Sequence, residues 1–541
     1  MRASGAPPSC VGVRHAEARP RLVHSLRAEG IGEAIGRRPV AQVKSRFGSA
    51  SALGVGFTAF AALAAAALLA GAVVLGPEAS GAVALLVAAA GLVAYFFGRL
   101  RGAYFALLLF GLVGYATMGR GFAYWGVPPL YVGELLLLSG VLVLALRGDL
   151  RALLTMPLAW VVLAFMVVGA AATVPYVDRY GFDALRDAVS WGYATFAFII
   201  AGLMARRALV VGALAWYVRL IPALTLGPVL AFAVILVAGP RLPLVPLSDV
   251  PILNHKGGDV AVHLAGLLAF ILLGLHRRFG LVRSEASGAR EWWWWTLWIA
   301  AWVTTLTVRA GFITLALVGA LVLALRPTAR WWRLAVLVAF LGLVASAFEV
   351  EVVLGRDGRP ISTESIVLMV GSVVGSVEGG DFDGTRQWRL SWWRDIVDYT
   401  VFGPYFWTGK GYGINLADED GYQVWEDGSL RSPHNAHVTF LGRSGVPGLV
   451  AWLVLNVALA ASLFRAFRRR ASEGEEDWAR LNLWLLAYWL AFISNATFDV
   501  YLEGPPGGIW FWCLVGFSLA VLRLQPRGSR RSAEPSGPAA A

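Results

Sequence analysis

The chain has 541 residues, of which 58% are hydrophobic and 15% charged, with mean hydropathy +0.65 and a net charge of +12. Soluble domains carry roughly a quarter charged residues, so a water-solvated globular protein of this length is excluded. The positive charge invites a nucleic-acid reading, but it sits in the tails and in short connectors between apolar runs, such as 98–101, 205–207, 276–283 and 465–470. That is the positive-inside distribution of a membrane protein.

In chain order, residues 1–50 form a basic tail, read as cytoplasmic and without a cleaved signal peptide. Residues 51–348 are expected to be a transmembrane bundle, because a bilayer needs about 20 apolar residues per helix. The apolar runs lie at 53–75, 80–97, 102–118, 128–146, 157–174, 190–205, 209–238, 259–275, 291–308, 311–325 and 331–348. The run 209–238 encloses Arg219 and reads either as one tilted helix or as an interfacial piece plus a span. Residues 349–445 read as one large extracytoplasmic loop. Three last spans follow at 446–464, 480–497 and 508–523, then a basic cytoplasmic tail, 524–541. The fold class is an all-α polytopic integral membrane protein with about 14 transmembrane helices.

Orientation is consistent along this chain. With the N-terminus inside, the basic connectors fall inside, and 76–79, 175–189, 239–258 and 498–507 fall outside. The tryptophan run 292–295 sits at a membrane boundary. Cys10 in the tail and Cys513 in an apolar run suggest neither a disulfide nor a thiolate metal site. No metal or cofactor is expected.

The loop is where chemistry is expected. Residues 349–433 carry 14 acidic and 7 basic side chains, net −7, so the rest of the chain carries +19; long connectors of this kind are usually functional. Near its end stands Ser432-Pro433-His434-Asn435-Ala436-His437. Ser432 as N-cap and Pro433 at the first helical position predict a helix start. His434 and Asn435 then fall in the first turn, where free N–H groups and the helix dipole favour anions and a neutral imidazole. A neutral imidazole suits a general base; a merely packed histidine is the plainer alternative.

His434-Asn435, nine residues, then Gly445-x-x-Gly448 resembles the signature of bacterial O-antigen ligases, Wzy-type O-antigen polymerases and bacterial O-linked oligosaccharyltransferases. An Arg-x-x-x-Leu element earlier in the family's loop is matched by Arg386 to Leu390. A family arginine at the mouth of a preceding helical hairpin is matched by Arg309, and "GKGYG" at 409–413 resembles a glycine-rich stretch often found ahead of the histidine. The likeness covers roughly 250–523. It implies a GT-C-like membrane glycosyltransferase using a glycan on undecaprenyl pyrophosphate, without metal. Arg309 and Arg386 would bind the pyrophosphate, His434 would activate or orient the acceptor hydroxyl, and Asn435 would position the histidine or the sugar.

Arginine is the best bidentate phosphate ligand; for Arg309 the plainer reading is snorkelling to the interface. Arg386, Arg389 and Trp393 share one helical face, which suggests an interfacial helix. Arg389 is a substrate-binding candidate, although it and Arg394 also fit as partners of loop carboxylates. His255 and Lys256 could touch substrate phosphate or simply cap a helix end. Asp381-Phe-Asp383 reads as a solvated turn, and "GKGYG" lacks phosphate-loop spacing.

The expected function is therefore transfer of a glycan from undecaprenyl pyrophosphate to a lipid A-core sugar, on the outer side of the inner membrane. The alternatives are a polymerase joining lipid-linked repeat units, a protein O-oligosaccharyltransferase, and, from another class, a lipid-linked oligosaccharide flippase. Transporters show internal repeats and broken midplane helices, and none is visible here. The expected partners are the lipid-linked donor, a glycan or lipid-linked acceptor and membrane lipids, with no nucleic acid.

Overall fold

The computed structural model describes residues 100–281, 287–303, 305, 308–326, 352–353, 360–361, 382–426 and 428–525. Both tails, the expected spans 53–75, 80–97 and 331–348, and most of 327–381 lie outside the described residues. Six helices come first: α1 (Leu100–Met118), α2 (Val132–Arg147), α3 (Pro157–Thr173), α4 (Phe182–Gly192), α5 (Thr195–Leu203) and α6 (Arg207–Ala238). Then come α7 (Gly257–Leu272), α8 (Ser287–Val303), α9 (Arg309–Leu325), α10 (Phe382–Val401), α11 (Ala436–Ser472), α12 (Glu476–Ala496) and α13 (Pro505–Leu524). Strands among the described residues are two short antiparallel pairs, β1 (Gly126–Val127) with β2 (Leu130–Tyr131) and β3 (Val352–Val353) with β4 (Pro360–Ile361).

A helix that is apolar all round belongs in a core. α7 is one, buried from Gly258 to Leu272. It packs against α8, α9 and α12. Gly266 lets α12 come close, since a Cβ there would meet the Tyr488 ring at 2.5 Å. Indole N–H groups of Trp298 and Trp484 donate to the α7 carbonyls of Leu264 and Gly266, both at 2.9 Å. The clasp in α8 lies beyond its tryptophan run: Trp298 is buried, while Trp293 within the run is exposed.

Other helices present apolar faces outward. Trp160, Leu163 and Val167 of α3, and Leu230, Val234 and Val237 of α6, are all exposed. Water does not tolerate such surface, and lipid does. Five helices among the described residues are long and apolar enough to cross a bilayer: α1, α3 with the turn after it, α6, α11 and α13. Two shorter apolar helices, over 257–272 and 310–325, join them. The protein is a helical membrane protein. The run 209–238 is one helix containing Pro222 and Pro228, and Arg219 lies within it, stacked over Trp216 at 4.9 Å. The run 190–205 is broken between α4 and α5 at Tyr193-Ala194.

The described part of the acidic loop has a small core of its own, built from Trp392, Ile396, Leu416, Leu430 and Leu441. A buried carboxylate fastens it to α4. Asp187 accepts from Arg431 at 3.0 Å, from the Gly413 N–H at 3.2 Å, and lies 3.0 Å from the Arg443 guanidinium. Burial alone would raise its pKa, but Arg443 and Arg431 hold the carboxyl below the usual carboxylate range.

Candidate active site at one end of the bundle

The helix carrying the His-Asn element starts later than expected. The N-cap is Asn435, whose side chain accepts from the N–H groups of His437 at 2.9 Å and Val438 at 3.2 Å. Ser432 and Pro433 lie outside the helix. Asparagine satisfies two free N–H groups here, so it outcompetes the serine three residues earlier. His434 is therefore not in the first turn but just before the cap, in a left-handed conformation with φ 55°. For a histidine that backbone is costly and must be held by its surroundings. Trp393 supplies part of the hold, donating from its indole to the Pro433 carbonyl at 2.8 Å.

The two glycine elements have one physical reason between them. At Gly445 the helix kinks, with φ 65° and ψ −166°. The glycine segment docks against that kink backbone to backbone. Lys410 N–H donates to Gly442 at 2.7 Å, Gly411 N–H to Arg443 at 3.0 Å, and Val446 N–H to Phe406 at 2.8 Å. A Cβ on Gly445 would meet the Phe406 oxygen at 2.3 Å, and one on Gly448 would meet the Ser444 Cβ at 2.2 Å. These glycines let the kink in α11 and the glycine segment pack backbone to backbone, which ties the loop to the helix that His434 precedes.

Five separate chain segments converge around the imidazole. Asp499, in the turn after α12, has an oxygen 4.0 Å from His434 Nδ1, 3.3 Å from Lys256 Nζ and 3.5 Å from Arg120. Arg120 also approaches Asp259 at 3.7 Å. Arg389 of α10 donates to the Phe498 carbonyl at 3.0 Å, beside Asp499. Three cations thus face two carboxylates, leaving one positive charge in excess among the described side chains. Burial, and then Arg389, push the His434 pKa down to about 4; Asp499 opposes them, and Lys256 and Arg120 add to them. The imidazole is neutral at ordinary pH. Asp499 itself is stabilised as a carboxylate, because Lys256, Arg120 and the Val500 N–H together outweigh its burial.

Several buried polar atoms in this cluster find no partner among the described residues: Nε of Arg389, Oδ1 of Asp259, and both side-chain atoms of Asn495. Asn495 reaches the start of α7, 3.1 Å from where a Gly258 Cβ would be. Buried polar groups are nearly always satisfied, so these atoms have hydrogen-bonding capacity left for a partner beyond the described residues.

The candidates named from sequence are distributed unevenly. His434, Arg389 and Lys256 meet in the cluster. Among the described residues Arg389 pairs with no loop carboxylate and donates instead to the Phe498 carbonyl. His255 is half-buried one residue away, and its Nε2–H is engaged by the Thr117 carbonyl at 2.7 Å, so it serves the join between α1 and α7. Asn435 is occupied as the cap. Arg386 stands one turn before Arg389 on the same face of α10, and Arg309 opens α9; their side chains lie outside the described residues. The N-cap of α9, Val308, lies within 3.6 Å of where a Gly258 Cβ would be, which puts the α9 start beside the cluster. Asp381 also lies outside the described residues. Arg120, Asp259 and Asp499 were not singled out from sequence. The available signal was a solitary charge at the mouth of an apolar run.

The fold and its charged cleft define a helical membrane protein with a concentrated polar site at one end. Residues 295–453 match the family described as O-antigen ligase, so this stretch is similar to the membrane enzymes of the O-antigen ligase and Wzy superfamily. No curated protein matches the chain. The matched stretch contains Arg309, Arg386, Arg389, His434, Gly445 and Gly448, but not Arg120, Lys256, Asp259 or Asp499.

Proposed function

We propose that the protein transfers a glycan from undecaprenyl pyrophosphate to an acceptor hydroxyl, as an O-antigen ligase acting on a lipid A-core sugar. The observation that carries this is the half-buried cleft in which a neutral imidazole stands among an excess of cations. An anionic leaving group and a hydroxyl nucleophile need both. Lys256, Arg120 and Arg389, with Arg309 and Arg386 from the adjoining helix starts, hold the lipid diphosphate by charge-assisted contacts. The acceptor oxygen attacks the anomeric carbon and the bond from that carbon to the diphosphate oxygen breaks. The electron pair leaves with the lipid diphosphate, and the hydroxyl proton passes to His434. Asp499 faces Nδ1 at 4.0 Å, and its charge favours the proton on that nitrogen, leaving Nε2 to accept.

The active end lies outside the cytoplasmic membrane. Arginine-rich connectors at the opposite end of the bundle support this orientation by the positive-inside rule, and both chain termini are then cytoplasmic. The test is mass analysis of the product formed by the purified protein from a lipid-linked donor with candidate acceptors. A glycan on a lipid A-core sugar supports the ligase reading. A lengthened lipid-linked chain assigns a polymerase, a glycan on Ser or Thr assigns a protein transferase, and donor moved across the bilayer without a new glycosidic bond assigns a flippase.

A further inference from the structure

The turn after α10 presents two of the most exposed aromatic side chains among the described residues. Phe402 is 79% exposed and Trp407 76% exposed. They lie in Val401-Phe-Gly-Pro-Tyr-Phe-Trp-Thr-Gly409, nine uncharged residues within a loop of net charge −7. The exposure is not that of a loose strand. Tyr405 N–H donates to the Tyr399 carbonyl at 3.1 Å, and Gly409 N–H to Tyr405 at 2.9 Å. Gly403 sits so close that a Cβ would meet the Tyr399 oxygen at 2.6 Å. Lys410 closes the turn, paired with Asp420 at 2.5 Å and lying 4.4 Å over the Tyr399 ring. Two large apolar groups are therefore held outward by a fixed backbone.

Their height is also fixed. The Phe406 carbonyl accepts from Val446, the first residue below the Gly445 kink and the start of the apolar stretch of α11. Below that point α11 shows a continuous exposed apolar stripe through Val450, Leu453, Val454 and Val457. The turn that carries Phe402 and Trp407 thus joins α11 at the head of this stripe, and aromatic rings at the head of an apolar stripe are what a headgroup belt is made of. Trp425 is also exposed, but it is flanked by Glu426 and has no such continuity.

We propose that the turn 402–407 inserts into the headgroup region of the adjoining leaflet and anchors α10, with Arg389 and Trp393, at a set depth over the lipid. The occupant is the bilayer interface. The inference rests on α11 spanning the membrane, not on the transfer reaction.

The test places a nitroxide at Phe402→Cys, Trp407→Cys or Val424→Cys in a Cys10→Ser/Cys513→Ala chain, in vesicles of phosphatidylethanolamine and phosphatidylglycerol. Relaxation by dissolved oxygen should exceed that by a water-soluble nickel chelate severalfold at 402 and 407, and the order should reverse at 424. Nickel reaching all three sites equally overturns the proposal. So does dipolar broadening at 402 or 407 that vanishes on dilution with unlabelled protein, since a second copy then covers the patch. These readings need no turnover, so they stand apart from any failure of the transfer assay. In that assay Phe402→Ser/Trp407→Ser should raise KM for the lipid-linked donor severalfold at unchanged kcat, and Phe402→Leu/Trp407→Phe should restore it. An unchanged KM in the serine pair overturns the anchor.

Discussion

The two ends of the bundle use cations in opposite ways. At the far end, several arginines are matched or spent on structure, while Arg465, Arg468 and Arg469 line an open surface. Arg326 and Arg480 pair with Glu476 at 3.0 and 3.3 Å, and Arg278 with Asp477 at 3.3 Å. Arg523 caps the Ala201 and Met204 carbonyls at 3.1 and 2.9 Å, and Arg207 caps Leu524 at 2.6 Å. At the His434 end, Arg120, Lys256 and Arg389 crowd around two carboxylates, and buried polar atoms stay unpartnered. The number of arginines does not mark a site. Charge held close together without enough counter-charge does, because the surplus is tolerated only where a ligand completes it.

The largest effect should come from His434. His434→Ala should lower glycan transfer by about 10²–10⁴-fold, the usual span for losing a general base, with membrane insertion unchanged. A fully active variant would erase the distinction between the ends. Next is Arg389→Gln, which removes one charged contact to the leaving group and should cost about 10–100-fold in kcat/KM.

The same variant sharpens the electrostatics. With the His434 pKa near 4, the base stays unprotonated as pH falls, so the rate should hold from neutrality to about pH 5. Arg389 is a cause of that depression. Removing it raises the pKa, and the acid limb of the rate profile should move to higher pH. An acid limb at the same pH in both proteins would assign the limb to another group.

A third variant separates scaffold from chemistry. Gly445→Ala places a Cβ 2.3 Å from the Phe406 oxygen at a positive φ, and should cost about 1–3 kcal/mol in a thermal or denaturant melt. The smallest effect belongs to the far end. Arg480→Ala breaks a partly exposed i,i+4 pair with Glu476 and a hydrogen bond to the Leu273 carbonyl at 2.8 Å, and should cost about 0.5–1.5 kcal/mol, with transfer unaffected.

The membrane class was legible in composition alone, since an outward apolar surface leaves a mark on every helix that carries it. The His434, Asn435, Gly445 and Gly448 spacing was legible too, because the capped turn and the kinked seat are local. Even there the start of α11 was placed three residues early. Serine and asparagine both cap, and only tertiary packing decided for Asn435. Arg120 and Asp499 were out of reach. They stand 379 residues apart in sequence yet 3.5 Å apart in space, and no periodicity encodes such a meeting. The break at Tyr193-Ala194 was hidden as well, inside a run that is apolar throughout.

The cleft draws on residues 120, 256–259, 389, 434 and 499, so its last carboxylate is made long after its first cation. A ribosome delivering the polypeptide in order will have inserted Arg120, Lys256 and His434 long before Asp499 emerges. Nascent chains that stop short of Asp499 therefore carry an incomplete constellation, and the cleft is complete only once the turn between α12 and α13 has joined it.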